Sequence, residues 1–288
     1  MKTITVINLK GGVGKSVSIE TLAHMLATVY GQRVLTIDLD PQGNLTSAYS
    51  DEDYVKLYLN GVSGKEEPVD EYTVGNLLLD STFEIHKCIK STKYQNVDIL
   101  PSNLTLARGE ELLKADITSP QQFRLKMHLE KIKEEYDICL IDCSPSLSIL
   151  NINALTCANE VYIPTRVDGG SLLGVAMTLN LIKEVQQYAM GLKVGGVFFT
   201  AFNKRKHVSK DAYALLAATL PSNILLPITI GITKYLELNS QEQKQLLEFD
   251  EHMQLGATKS YLELAQYMLA KNKKECLITL GYEGGGMK

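Results

Sequence analysis

The 288 residues are 45% apolar and carry 29 lysines and arginines against 33 aspartates and glutamates, a formal charge of −4. That length can bury one large α/β core, and weak internal punctuation favours a single domain over 1–288. The balance of charge excludes a chain coated in positive potential, so any nucleic-acid contact must come from a local patch.

No stretch approaches the roughly 20 apolar residues of a membrane span, and MKTITV lacks the apolar core and cleavage site of a signal peptide, so the cytosol is the expected compartment. Cys88, Cys139, Cys143, Cys157 and Cys276 contain no CxxC pair, and buried free thiols are expected. An iron–sulfur role for Cys139 and Cys143 is set aside because they flank a buried strand end.

In chain order, TITVIN (3–8) reads as a β-branched strand, followed by a helix from Gly14 to Tyr30 in which Ile19, Leu22, Ala23 and Leu26 repeat at helical spacing. Gly31 supplies its stop. Strands are then expected at 33–38, 96–100, 137–142, 160–165, 195–200 and 223–228. Helices are expected at 103–115, 121–135, 146–158, 171–190, 208–219 and 257–272. Several strands are near-continuous apolar runs, as strands covered on both faces are. The alternation predicts an α/β fold, a mainly parallel twisted sheet with helices on both faces. The polar, glycine-bearing segment 51–72 reads as a surface insertion and 273–288 as a flexible tail.

The chemistry starts in VINLKGGVGKS. A strand that feeds GGVGKS and then a helix lets successive backbone N–H groups surround a phosphate while the helix N-terminus adds partial positive charge. Lys15 would reach the β- and γ-phosphates, and the Ser16 hydroxyl would ligate a bridging Mg²⁺. The general phosphate-loop pattern has glycine where this chain has Leu9. Carboxylates for the metal and for water arrive at two strand ends. VLTIDLDPQGNLTS ends its strand at Asp38 with Asp40 in the turn beyond, and DICLIDCSPSL ends at Asp142. The plain alternative for Asp38 and Asp40 is a turn whose aspartates cap backbone N–H groups.

With Lys10 ahead of its first glycine, KGGVGKS resembles the signature of the deviant Walker-A P-loop NTPases, the ParA/MinD family. The resemblance runs on through TVGNLL, VDILPSNLTLARGEELL, LNINALTCANEVYIPTRVDGGSLLGV and GVFFTAFNKR, and covers residues 2 to about 272. It implies an ATPase whose cofactors are ATP and Mg²⁺. Gly11, Gly12, Val13, Gly14, Lys15, Ser16 and Val17 would hold the phosphates, and Lys10 would contact the partner subunit's nucleotide in a face-to-face homodimer. Asp40 would position the attacking water, Asp38 would lie nearer the metal's water shell, Asp142 would serve the metal, and Asn203 would stand where relatives read the adenine edge. Two departures stand out: Ser144 replaces the first proline of the family's D-x-P-P segment, and Val17 replaces a hydroxyl residue.

The resemblance is closest to the partition ATPases of the ParA/Soj type, which bind DNA nonspecifically as ATP dimers and answer to a ParB-type centromere-binding partner. They are cytoplasmic and join the nucleoid in the ATP state. Lys204, Arg205, Lys206 and Lys210, with Lys259, Lys271, Lys273 and Lys274, are candidates for a basic DNA surface. Because Thr3 already begins the first strand, no upstream DNA-reading helix-turn-helix is expected. The alternative is a MinD-like membrane- or cargo-positioning ATPase, but the apolar strip in ECLITLGYEGGGMK is short and ends in glycines, a poor membrane helix. A nitrogenase-reductase-like role lacks paired cysteines, and a nucleotide kinase lacks a second arginine cluster.

Overall fold

Continuous apolar strands are expected to divide their side chains between two faces, and they do. The structure, a computed structural model, describes residues 1–50, 72–117, 119–221, 223–236, 238 and 244–282. Its strands are β1 (Lys2–Val6), β2 (Val34–Leu39), β3 (Lys90–Ser91), β4 (Val97–Leu100), β5 (Ile138–Cys143), β6 (Glu160–Thr165), β7 (Lys193–Phe202) and β8 (Leu225–Gly231). They form one sheet in the order β3-β4-β2-β5-β1-β6-β7-β8, parallel throughout except for β3, which pairs antiparallel with β4 at the edge. The period of two sends Leu35, Ile37, Cys139 and Ile141 to one apolar cluster and Val34, Ile138 and Leu140 to the other. The α/β fold with a mainly parallel sheet is therefore observed.

The helices are α1 (Lys15–Thr28), α2 (Asn44–Tyr49), α3 (Val74–Leu79), α4 (Thr105–Ala115), α5 (Arg124–Leu129), α6 (Ile149–Cys157), α7 (Gly169–Gln186), α8 (His207–Thr219), α9 (Leu246–Phe249), α10 (Gly256–Leu269) and α11 (Lys273–Thr279). On one face α1 and α10 contribute Ile19, Leu22, Leu26, Leu264 and Met268 to the core. On the other, α6 and α7 contribute Leu150, Leu155, Val175 and Ile182. Each large side chain so buried contributes roughly 1.5–3 kcal/mol.

Two local expectations differ from what forms. The helix expected over 121–135 is a short α5 between two 3₁₀ turns. Side chains of α6 take the backbone groups that a longer helix would use. Asn153 donates to Gln121 O and accepts from Leu125 N, and Thr156 donates to Gln122 O. The tail expected from residue 273 begins with α11, capped by the Asn272 side chain and packed through Cys276. Lys273 pairs with Glu160 at 3.3 Å and lies over the Tyr267 ring, which ties that helix to the start of β6. Residues 283–288 lie outside the described residues, as does the expected insertion at 51–72 apart from Tyr72.

Between β6 and β7 the pairing steps from Val161↔Val194 to Tyr162↔Gly196, leaving Gly195 as an extra residue on β7. The buried Tyr162 ring crosses that residue so closely that a Cβ on Gly195 would sit 2.5 Å from Tyr162 Cε2. Tyr162 is itself held by its bond to Glu160. Gly195→Ala should therefore lower folding stability by about 1–3 kcal/mol, read as a shifted urea midpoint at unchanged slope.

Candidate active site

The loop between β1 and α1 emerges at the carboxyl ends of the central strands, where ligands bind in open α/β sheets. Gly12 at φ 75° and Gly14 at φ 82° take left-handed conformations that favour glycine, and they let the chain wrap a small concave turn. Gly14 is also the N-cap of α1, with no side-chain cap and no acidic residue in the first turn. The N–H groups of that first turn are consequently left for an anion.

The carboxylates flank the loop from β5 and β2. Asp38 and Asp142 are opposite each other in register on these adjacent strands, and both are fully buried. Ser16 Oγ donates to Asp142 Oδ2 at 2.5 Å, whereas Asp142 Oδ1 is buried without a partner. Burial, and then the Asp38 charge, pushes the Asp142 carboxyl well above its usual range. Asp38 is pushed up to about 6 by burial, against bonds donated by Thr46 N, Thr46 Oγ1 and Asp40 N. Asp40, also buried, accepts from Gln42 N at 3.0 Å. Both aspartates of this segment thus do cap backbone N–H groups, and they do so beside the phosphate-type loop.

Lys15 is the buried cation among these acids. Burial lowers its pKa, and the charge of Asp142 is the strongest opposing influence. Among the described residues its Nζ bonds only Lys10 O, at 3.4 Å. Lys10 points the other way: its side chain is exposed, makes no ion pair among the described residues, and lies across the start of α7. A Cβ on Gly174 would come within 2.8 Å of Lys10 Cβ and closer still to Asn8 Oδ1. The buried Asn8 fixes the loop's first turn by donating to Pro164 O at 2.8 Å and accepting from Lys10 N at 2.9 Å.

A pocket of about 210 Å³ opens beside the loop, lined by Gly12, Gly14, Val17, Thr200, Thr233 and Tyr261 among others. Val17, the departure from the hydroxyl residue, is part of its wall. Asn203 is not; its side chain accepts from Arg205 N at 3.0 Å and shapes the turn after β7. Arg166, Thr200 and the 230–233 segment were missed from the sequence. Arg166 and Thr200 lie in segments that carry the family resemblance, but which strands neighbour β1, and so which side chains reach the loop, is a matter of sheet order. Ser144, in place of proline, does not leave its loop loose: the buried Asn151 donates to both Ser144 O and Ser146 O.

These residues suit a magnesium nucleotide. The loop offers uncapped N–H groups and a buried ammonium, and Ser16 with the unpartnered Asp142 oxygen offers hard oxygen chemistry. Among the described residues no three His, Cys, Asp or Glu side chains are grouped to hold a metal alone, so phosphate oxygens would complete its shell.

The basic residues do not form one patch: Lys259 is exposed at the start of α10, two residues before the Tyr261 that lines the loop's pocket, and the others fall into two groups. Lys204, Arg205, Lys206 and Lys210 are exposed beyond the carboxyl end of β7, whereas Lys273 is bound to Glu160 at the amino end of β6, with Lys271 and Lys274 beside it in sequence. Because β6 and β7 run parallel, the two groups lie at opposite ends of the sheet.

Comparison with known proteins agrees with this geometry. The AAA domain family matches residues 1–194. The sporulation initiation inhibitor protein Soj of Bacillus subtilis is 36% identical over 208 residues, 72% of this chain and 75% of its own. The chromosome-partitioning ATPase Soj of Treponema pallidum is 29% identical over 272 residues, 94% and 98% of the two chains. Among solved structures, cobyrinic acid a,c-diamide synthase of Mycobacterium smegmatis, with bound ADP and magnesium, matches with a TM-score of 0.74 at 29% identity, over 93% of this chain and 94% of that one.

Two substitutions probe the arrangement. Gly174→Ala, which inside an ordinary helix would add up to about 1 kcal/mol, should instead lower the thermal midpoint, because the methyl displaces Asn8 and Lys10. Glu20, one turn beyond Ser16 on α1, is pushed up to about 8 by burial, from an ordinary 4.5. Its folded value lies above its unfolded one, so its contribution is fully present below about 4.5 and is lost as pH rises toward about 8. Glu20→Gln should flatten the fall in stability across that window, measured by urea denaturation at pH 5 and pH 8.

Proposed function

The chain belongs to the ParA/MinD family of P-loop ATPases, and from that premise we propose that it is an ATP-dependent, dimerising partition ATPase with weak intrinsic turnover. In the ATP state it binds DNA nonspecifically, and a ParB-type centromere-binding partner ends that state, so that a plasmid or chromosome is segregated. It works in the cytoplasm and on the nucleoid. The observation that carries this reading is the division of labour between two lysines on one loop: Lys15 is buried among the acids, and Lys10 is exposed and free of ion pairs among the described residues.

Lys15 and the N–H groups of Gly11 to Val17 hold the phosphates of ATP. Ser16 and Asp142 would hold Mg²⁺, with Asp38 beside its water shell. The metal's contribution is to neutralise charge on the phosphate oxygens. Asp40 orients a water in line with the terminal phosphate, and positioning and electrostatics do most of the rest. When two copies close face to face, each Lys10 places its charge on the partner's nucleotide, so that dimerisation and transition-state stabilisation coincide. Hydrolysis removes the terminal phosphate that both copies grip, and the dimer opens.

The exposed Lys204–Lys210 group is the DNA-contacting surface this reading favours. Membrane positioning has less support, since α11 is packed through Cys276 and carries its ion pair inward.

Lys15→Ala should abolish nucleotide binding. Asp40→Ala should bind ATP, remain dimeric by sedimentation velocity and lose at least about a hundredfold in turnover. Lys10→Ala should keep ADP affinity within about twofold of the parent yet weaken the ATP dimer. On random-sequence duplex DNA, affinity should appear with ATP only and fall steeply with salt. An ATP dimer that survives Lys10→Ala intact, or DNA affinity indifferent to nucleotide, would overturn the corresponding part of this reading.

A further inference from the structure

The phosphate-type loop is held by two side chains that lie outside KGGVGKS and line the pocket beside it. Arg166, immediately after β6, donates through Nη1 to Gly12 O at 3.2 Å. Thr200, near the end of β7, donates through Oγ1 to Val13 O at 2.8 Å, with Thr165 O at 3.2 Å as the longer alternative. In a trans peptide the C=O and the following N–H point in opposite directions across one rigid plane. Holding Gly12 O and Val13 O toward β6 and β7 therefore turns Val13 N–H and Gly14 N–H the other way, away from those strands.

Thr200 is built for this contact. It is buried, and the position of a Gly14 Cβ lies 3.7–3.8 Å from its side-chain atoms. Between Phe199 and Phe202, three residues of β7 advance against two of β8, and Ala201 takes φ 49°, a left-handed conformation that a side chain resists. An extra residue of this kind re-aims the side chains beside it and is enriched next to binding sites. Arg166 is exposed and makes no ion pair among the described residues, so its bond to the loop is not a by-product of a salt bridge.

We propose that Arg166 and Thr200 are positioning residues that hold the phosphate loop in its anion-binding form, a claim that rests on the nucleotide-binding reading above. They act through the main chain: with their donors removed, the two peptides are free to rotate and the loop's N–H groups lose their common direction.

The test uses the full chain, titrated with MgADP by calorimetry, with the amide signals of Val13 and Gly14 followed by ¹⁵N–¹H NMR. Arg166→Ala and Thr200→Val should each weaken MgADP roughly tenfold, the worth of about one hydrogen bond. They should also reduce the ADP-induced shifts of both amides, while the melting temperature without nucleotide stays close to the parent's for the exposed Arg166. Thr200→Ser and Arg166→Lys, which keep a donor, should recover most of the affinity. Parental MgADP affinity and unchanged amide shifts in Arg166→Ala would overturn the proposal, and that variant decides the matter even where the buried Thr200→Val fails to fold. If the parent protein itself binds no MgADP, it is the nucleotide reading that fails, and the proposal falls with it.

Discussion

Two carboxylates, Asp38 and Asp142, face one another across adjacent buried strands, and much of the molecule is arranged around the charge this creates. Burial pushes both carboxyls upward; the Asp38 charge raises Asp142 further, and the Asp40 charge adds to the rise at Asp38. The nearby compensation comes from one buried ammonium, Lys15, the Ser16 hydroxyl and the bonds Asp38 receives from Asp40 N–H and the Thr46 segment. A cluster of buried acids so short of positive charge is matched to the magnesium ion that accompanies a nucleotide, and it costs folding energy until that ion arrives. The two apolar clusters that sandwich the sheet are what sustain the cost.

Strand order converts this electrostatic problem into a binding site. Because β1 lies between β5 and β6, its loop emerges with acids on one flank and hydrogen-bond donors on the other. From the first flank, Asp142 takes the Ser16 hydroxyl. From the second, Asn8 is anchored to Pro164, Arg166 to Gly12 and Thr200 to Val13. Gly174 completes the frame by leaving room on α7 for the stem of Lys10. The two lysines of the loop are thereby separated by burial: Lys15 serves the chain's own pocket, and Lys10 faces outward, toward whatever approaches α7.

The sequence was most informative where one physical signal dominated. The strands were legible because a chain of β-branched and apolar residues buried on both faces has few alternatives, and most long helices were legible from their apolar period. The short elements α2, α3, α9 and β3 were not, since two to six residues cannot display a period, and the break of 121–135 into turns depended on Asn153 and Thr156 of a helix distant in sequence. Lys273 illustrates the limit for charge. As a lysine in KNKK it reads as surface, yet folding places Glu160 and the Tyr267 ring against it. Asn203 is the converse case, a polar residue at a strand end that serves its own turn.

The sequence by itself determined the chemistry that is local in the chain. A strand, a glycine-rich turn and a helix start must lie together because they are contiguous, so Gly12, Gly14, Lys15 and Ser16 could be read directly, and Asp38, Asp40 and Asp142 followed from strands that had to end there. Only the tertiary structure decided which strands are neighbours, and hence that Asp38 and Asp142 share one register, that Arg166 and Thr200 reach the loop, and that Lys273 lies at the opposite end of the sheet from Lys204–Lys210. Sheet order is set by long-range packing of faces that look alike in sequence, and no short-range pattern encodes which apolar strand will pair with which.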